Sequence, residues 1–218
     1  MSKFVLYSYF RSSASHRVRI ALHLKNIDFE YRAVHLVNGG GEQHSEAYRK
    51  INPSREVPTL VHGENVIGQS IAIIDYLDRV APAPLLFPID PFHRALMLQA
   101  CEIINSGAQP LHNLRVLNKL SEQFGADLEQ KNAWAKSWVT YGLDSIETMV
   151  RLTAGQFCFG DTPSAADCFV IPHLANADRY EISLNTYPTL QRVRASCDAL
   201  EAFRKSAPFV QPDAPATS

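Results

Sequence analysis

The chain has 218 residues, 46% of them hydrophobic and 20% charged, with a formal net charge of −1 and acidic and basic residues interleaved throughout. That supplies a core for one large domain or two small ones, and it argues against a nucleic-acid-binding surface or an acidic tail. No apolar run approaches the roughly 20 residues that span a bilayer, and "KFVLYSYF" lacks the length and cleavage site of a signal core, so a soluble cytoplasmic protein is expected.

Along the chain, Lys3 to Phe10 alternates like a strand, with Phe4, Leu6 and Ser8 facing one way and Val5, Tyr7 and Tyr9 the other. Ser12 or Ser13 then caps a helix to about Lys25, with Val18, Ala21 and Leu22 on its apolar stripe and Ile20 and Leu24 beside them. "DFEYRAVHL" reads as a second strand, completing a strand–helix–strand unit with a parallel pair. "VNGGGEQHSEAYRKINPSREVP" is irregular, with a short helix from Glu46 to Ile51 and a mobile glycine loop. "PTLVHGENVIGQS" gives two short strands around a turn at Gly63 to Asn65, after which Ser70 caps the helix "IAIIDYLDRVAP".

"APAPLLFPIDP" is a linker by its prolines, and everything after it has helical periodicity. Phe92 to about Phe124 is one long helix kinked at Pro110. Lys131 to Leu152 is another, with Trp134, Trp138, Tyr141 and Ile146 on one side, and Ser164 with Asp167 opens a third through a capping box. Pro188 to Ala199 is a further helix, followed by a loose tail. The division is therefore 1–81, an α/β domain; 82–91, a linker; 92–210, an all-helical domain; and 211–218, the tail.

Cys101, Cys158, Cys168 and Cys197 form no C-x-x-C pair, so reduced, partly buried thiols are expected. The histidines show no H-x-x-x-H or H-E-x-x-H spacing, and no metal site is expected.

The order of elements, with "SSASHRVRIALHLKNIDFEY", "NPSREVPTL", "GQSIAIIDYL", "GAQPLHNLRVL", "GDTPSAADC" and "NTYPTL", resembles the zeta class of glutathione transferases from first strand to last helix. One position departs from that pattern: Ala14 stands where the class usually has cysteine. The resemblance implies a thioredoxin-like domain of order β-α-β-α-β-β-α, an all-α C-terminal domain, glutathione as cofactor and a homodimer. It also implies a cis Val57–Pro58 bond, leaving the backbone of Val57 to pair with the cysteinyl unit of glutathione like an added strand. Gln69 and Ser70, at a helix N-terminus that favours anions, would take the γ-glutamyl carboxylate, with Ser70 as a plain N-cap the compatible alternative. Gln43 and Gln109 would complete the glutathione contacts.

Ser12 and Ser13 need not be nucleophiles in this reading. A thiol near pKa 8.5 is mostly protonated at neutral pH, and a helix start with a hydroxyl donor favours the thiolate. The resemblance makes Ser13 the thiol's partner with Ser12 its neighbour, while a capping role alone stays possible for each. No histidine–acid pair beside them suggests a serine hydrolase. A strand-end tyrosine, Tyr7 or Tyr9, is the weaker alternative for the hydroxyl. Arg11, Arg115 and Arg179 fall in motifs expected near the cleft, and guanidinium forks suit a substrate with two carboxylates; Arg17 and Arg19 read as structural. The expected activity is glutathione-dependent cis–trans isomerisation of maleylpyruvate or maleylacetoacetate. Thiolate displacement on α-haloacids is one alternative, and a non-catalytic glutathione-binding protein is another.

Overall fold

The computed structural model describes residues 3–215. Its contacts divide the chain into two units, one built from the residues up to Leu86 with those from Asp198 onward, the other from Phe87–Cys197.

The first unit runs β1 (Phe4–Ser8), α1 (Ser13–Leu24), β2 (Phe29–Ala33), α2 (Glu46–Ile51), β3 (Thr59–His62), β4 (Asn65–Gly68) and α3 (Ser70–Val80). This is the expected β-α-β-α-β-β-α order. The four-stranded sheet is ordered β2-β1-β3-β4. β1 and β2 are parallel, and β3 and β4 are antiparallel to their neighbours. Leu6 and Ser8 of β1 are buried, as the alternation predicts.

Every residue of α1 from Ser15 to Leu22 is buried, including Arg17 and Arg19. A helix with one apolar stripe does not need that. The reason lies at the other end of the chain, where α9 (Glu201–Ser206) packs against α1 while α3 covers it elsewhere. Two residues are roughly 200° apart around a helix, so the two arginines serve different neighbours. Arg17 Nη1 donates to Ser70 Oγ at the start of α3 (3.1 Å), and Arg19 Nε donates to the Ser206 carbonyl of α9 (2.9 Å).

The C-terminal expectation is corrected here. The helical unit ends at Cys197, not 210, and residues 211–215 are not a loose tail. Asp213 accepts from the Phe10 N–H (2.9 Å) and the Tyr31 hydroxyl (2.6 Å), and the Gln211 amide donates to the carbonyls of Lys205 and Ala207. Residues 216–218 of the predicted tail lie outside the described residues. At the far end of α1, Lys25 and Asp78 form a buried ion pair at 2.7 Å. Lys25 also reaches the Pro84 carbonyl, and Asp78 accepts from the Leu86 N–H, which fixes the exit from α3.

The second unit holds α4 (Pro91–Glu102), α5 (Leu114–Phe124), α6 (Leu128–Val150), α7 (Ala165–Arg179) and α8 (Pro188–Asp198), whose last residue lies at the boundary. Pro110 does more than kink one long helix. Residues Ile103–Ala108 widen into a π turn, closed by the Gln109 N–H on the Ile104 carbonyl, and Gln109–His112 tighten into a 3-10 turn. A proline has no N–H and clashes with the preceding turn, so the regular ladder cannot pass it. Asn113 is extended, and its side chain caps a new helix at Val116 N (3.0 Å).

The buried stripe of α6 is Ala135, Val139, Gly142, Leu143, Ile146 and Val150. Trp134, Trp138 and Tyr141 pack on one another along its flank, with Trp134 and Tyr141 exposed, so the predicted aromatic face is not the core face. The capping box at α7 is as expected: Asp167 accepts from the N–H and hydroxyl of Ser164, both at 2.8 Å. Among the described residues no helix is long and apolar enough to cross a membrane, and no cluster of three His, Cys, Asp or Glu could hold a metal ion. All four cysteines are free and buried.

Candidate functional site

Strand register brings the candidate segments of the first unit together. Tyr7 on β1 lies opposite Thr59 on β3, and Thr59 lies opposite Gly68 on β4. The same end of β1 pairs Ser8 with Ala33 of β2. Four connections therefore leave one end of the sheet: the turn to Ser12 and Ser13, the loop to Gln43, the Val57–Pro58 turn, and the step to Gln69 and Ser70. Beneath them a cluster of Tyr9, Phe10, Val34, Tyr48 and Val57 gives these segments a common floor, with Leu36, Ile51 and Ala214 packed against it.

At the start of α1 the cap is Ser12. Its hydroxyl accepts from the Ser15 N–H (3.1 Å), and its backbone is extended at φ −71°, ψ 116°. Ser13 is the first helical residue, half-buried, and Ala14 follows it in the first turn. With the cap assigned to Ser12, the Ser13 hydroxyl is the one not needed to open the helix.

The Val57–Pro58 bond is cis. The Glu56 carbonyl just before it accepts from the Tyr48 hydroxyl (2.7 Å) and the Asn52 amide (2.9 Å). Both of those groups also bond the Thr59 hydroxyl, so a buried polar network anchors the turn from below. Val57 is buried, yet neither its N–H nor its C=O has a hydrogen-bond partner among the described residues. A buried backbone donor and acceptor rarely stay unpaired. They suit an extended peptide-like ligand laid alongside.

At the start of α3 the structure corrects the expected cap. Gln69, not Ser70, is the N-cap, at φ 65°, ψ 118°, and no side chain caps the helix. Ser70 is helical and buried, its hydroxyl engaged by Arg17. The first N–H groups of α3 are therefore left for a ligand, with the buried guanidinium of Arg17 below them, and that combination suits a carboxylate. Gln69 is exposed, and its amide donates to the Glu56 carboxylate at 3.3 Å.

Gln43 is buried rather than displayed on a loop. It lies in the second of two 3-10 turns, Asn38–Gly40 and Glu42–His44, and its amide donates to the Leu36 carbonyl (3.3 Å). A side chain at Gly41, where φ is 100°, would overlap it. Arg11 is exposed in the turn before Ser12. Gln109, Arg115 and Arg179 belong to the second unit. Gln109 opens the 3-10 turn, Arg115 is exposed in the first turn of α5, and Arg179 ends α7 with its guanidinium 5.2 Å from the Tyr180 ring centre. His112 meets Tyr180 edge-on at 6.3 Å, which sets the Gln109 turn against the end of α7 within that unit.

Burial holds the His16 imidazole well below its usual pKa, with Arg19 and Arg17 adding to the effect, so α1 carries a neutral histidine near its start. The alternative tyrosines have other partners. The Tyr7 hydroxyl accepts from Arg32 (2.9 Å), and the Tyr9 ring is buried against Phe10 and His35. Sequence reasoning missed Arg17 as a support for the α3 start. The available signal was an arginine inside an apolar helical stretch, which demands a buried acceptor.

The comparisons with known proteins fit this geometry. The glutathione S-transferase N-terminal domain family matches residues 11–80, and the corresponding C-terminal domain family matches residues 115–211. The chain is 44% identical to the maleylacetoacetate isomerase of Rattus norvegicus, over 97% of this chain and 95% of that one. It superposes on a holo structure of a bacterial zeta-class maleylpyruvate isomerase with a TM-score of 0.93 and 39% identity, covering 97% of this chain and all of the other (100%). It also superposes on the maleylacetoacetate isomerase of Anaeromyxobacter dehalogenans 2CP-1 with glutathione bound in the active site, with a TM-score of 0.87, 41% identity and 98% of each chain covered.

Proposed function

The chain belongs to the glutathione S-transferase family, in its zeta class, and from that premise we propose that it is a glutathione-dependent cis–trans isomerase of a maleyl diketo-diacid, maleylacetoacetate or maleylpyruvate. The observation that carries the reading is the convergence at one end of the sheet of a capped helix start, an unpaired buried backbone at Val57 and an uncapped helix start. Those three features fit a tripeptide with a central thiol and an anionic end. When bound, glutathione supplies a thiolate that adds to the conjugated double bond, lets the resulting single bond rotate, and leaves again unchanged.

The protein's own part is to bind, orient and bias. Val57 pairs the peptide backbone. The α3 start, with Gln69 and Ser70, receives the γ-glutamyl carboxylate, and Pro58 shapes the turn. Gln43 and Gln109 are assigned to the remaining glutathione contacts, and Gln43 must give up its bond to Leu36 to reach them. Ser13 donates to the sulfur and Ser12 holds the helix start, so that hydrogen bond and partial positive charge together favour the ionised thiol. Arg11, Arg115 and Arg179 are the candidates for the two substrate carboxylates, as bidentate cations. Ala14 removes a side-chain thiol from the first turn of α1, so substrate orientation rests on those arginines. The reading includes a cytoplasmic homodimer, and sedimentation at the mass of two chains tests that part.

The decisive experiment follows the ultraviolet spectrum of maleylpyruvate, maleylacetoacetate and an α-haloacid with and without glutathione. Catalysed conversion of a maleyl substrate to its fumaryl isomer, with glutathione not consumed, is expected. Haloacid turnover without isomerisation would replace the proposal with a displacement enzyme. Glutathione binding with no turnover of any of the three would leave a binding protein.

A further inference from the structure

The turn that delivers Ser12 and Ser13 is held by the far end of the chain. Between β1 and α1 the backbone groups from Ser8 to Phe10 have specific partners. The Ser8 carbonyl accepts from the Val34 N–H (2.8 Å). The Tyr9 carbonyl accepts from the Ser12 N–H (3.0 Å) and from Arg19 Nη1 (3.4 Å). The Phe10 carbonyl accepts from Arg19 Nη2 (3.1 Å), and the Phe10 N–H donates to Asp213 Oδ2 (2.9 Å). Asp213 is itself fixed, because its other oxygen accepts from the Tyr31 hydroxyl of β2 at 2.6 Å. Arg19 is anchored on the C-terminal side as well, through the Ser206 carbonyl. Phe209 lies against Phe10 at 6.0 Å between ring centres, and Ala214 joins the cluster under the site.

We infer that Asp213 is a positioning residue for the thiol site: its carboxylate clamps the Phe10 amide, two residues before the Ser12 cap, and so sets where the start of α1 meets the glutathione sulfur. The inference rests on the assignment of Ser12 and Ser13 to that sulfur. The carboxylate does not touch the ligand. Its two bonds run to a backbone amide and a tyrosine hydroxyl of its own unit. Burial and the Asp213 bond raise the Tyr31 hydroxyl above its ordinary range, which keeps it protonated as the donor. Arg19 stays charged opposite it, its pKa lowered to about 10 by burial.

The sign of the effect separates positioning from charge. A carboxylate acting through its field alone disfavours a nearby thiolate, so its removal would lower the thiol pKa. A carboxylate acting as a clamp does the reverse, because releasing the turn lets the helix start and its hydroxyl drift from the sulfur. The test titrates the bound thiol by its ultraviolet absorbance in the binary complex with glutathione, without substrate. Asp213→Ala is expected to raise that pKa by about half a unit, roughly a threefold loss of thiolate at neutral pH. Asp213→Asn, which keeps one acceptor, should give a smaller rise, and Tyr31→Phe, which frees one carboxylate oxygen, a smaller one still. If the Asp213 variants do not fold, Tyr31→Phe carries the test. A fall, or no change in any folded variant, while Ser13→Ala or Ser12→Ala does move the titration, overturns the clamp. If neither serine variant moves it, the thiol assignment itself has failed and the clamp falls with it.

Discussion

Two helices begin side by side at the same end of the sheet, and they begin differently. α1 is closed by its own residue: the Ser12 hydroxyl takes the Ser15 N–H. α3 begins at a glutamine with φ 65° and no side-chain cap, and its first hydroxyl, on Ser70, receives a buried arginine from α1. The first helix satisfies an orphan donor itself and keeps a hydroxyl spare. The second leaves its donors unmet and brings a cation up behind them. A thiol has to be persuaded to ionise, which a hydroxyl and a modest dipole can do. A carboxylate is ionised already and needs donors and positive charge.

The largest expected effect comes from removing the cation. Arg17→Ala should destabilise the chain by about 1.5–3 kcal/mol, because a charged, buried hydrogen bond to Ser70 is lost. Glutathione affinity should fall by about 10- to 100-fold, measured by calorimetry. The thiol titration should be unchanged; a shifted titration would show that the two starts are not separable.

Next in size is an acid sensitivity confined to the α1 side. His16 is buried and neutral, with a folded-state pKa well below the unfolded value. The unfolded chain therefore binds a proton that the folded chain does not. Stability from this group is complete above about pH 6.5 and is lost as pH falls below it, with a limiting slope of about 1.4 kcal/mol per unit. His16→Asn should flatten that slope in urea melts between neutral pH and pH 5. An unchanged slope would assign the acid sensitivity to other groups.

Ser12→Ala should cost about 1 kcal/mol, the usual worth of an N-cap hydroxyl, and Ser12→Gly only a few tenths. Thermal melts check this, and equal losses would mean the hydroxyl caps nothing of value. The smallest effect on stability belongs to Ser13→Ala, within about 0.5 kcal/mol. That variant should nevertheless raise the bound thiol's pKa and move the pH–rate profile to higher pH. If Ser12→Ala alone reproduces that shift, the two hydroxyls have been given each other's roles.

Much of the fold was legible because the signals were local. The alternation in Lys3 to Phe10, the helix from Glu46 to Ile51, the hairpin at Gly63 to Asn65 and the Ser164–Asp167 box each depend on residues within a few positions, and each appears where expected. The site was legible as a set of motifs, and the resemblance supplied their roles. The assignments that shifted depend on distant partners. Ser70 looks like a cap in sequence, but Arg17, 53 residues away, takes its hydroxyl. Gln43 looks like a loop side chain, but the positive φ of Gly41 admits it inward. Pro110 announced a break, but not the π turn ahead of it.

The sequence by itself determined the elements, the two-part division and the capped start of α1, since propensity, periodicity and capping act over one or two turns. Tertiary structure alone decided which end of the sheet gathers the site, because strand register is a property of pairs. It also decided that α1 is buried on more than one side, and that residues 211–215 belong to the first unit. Asp213 meets Phe10 and Tyr31 across 203 and 182 residues of chain. No local preference encodes such a contact. It exists because a buried amide and a buried hydroxyl each require an acceptor, and the fold brings one carboxylate within reach of both.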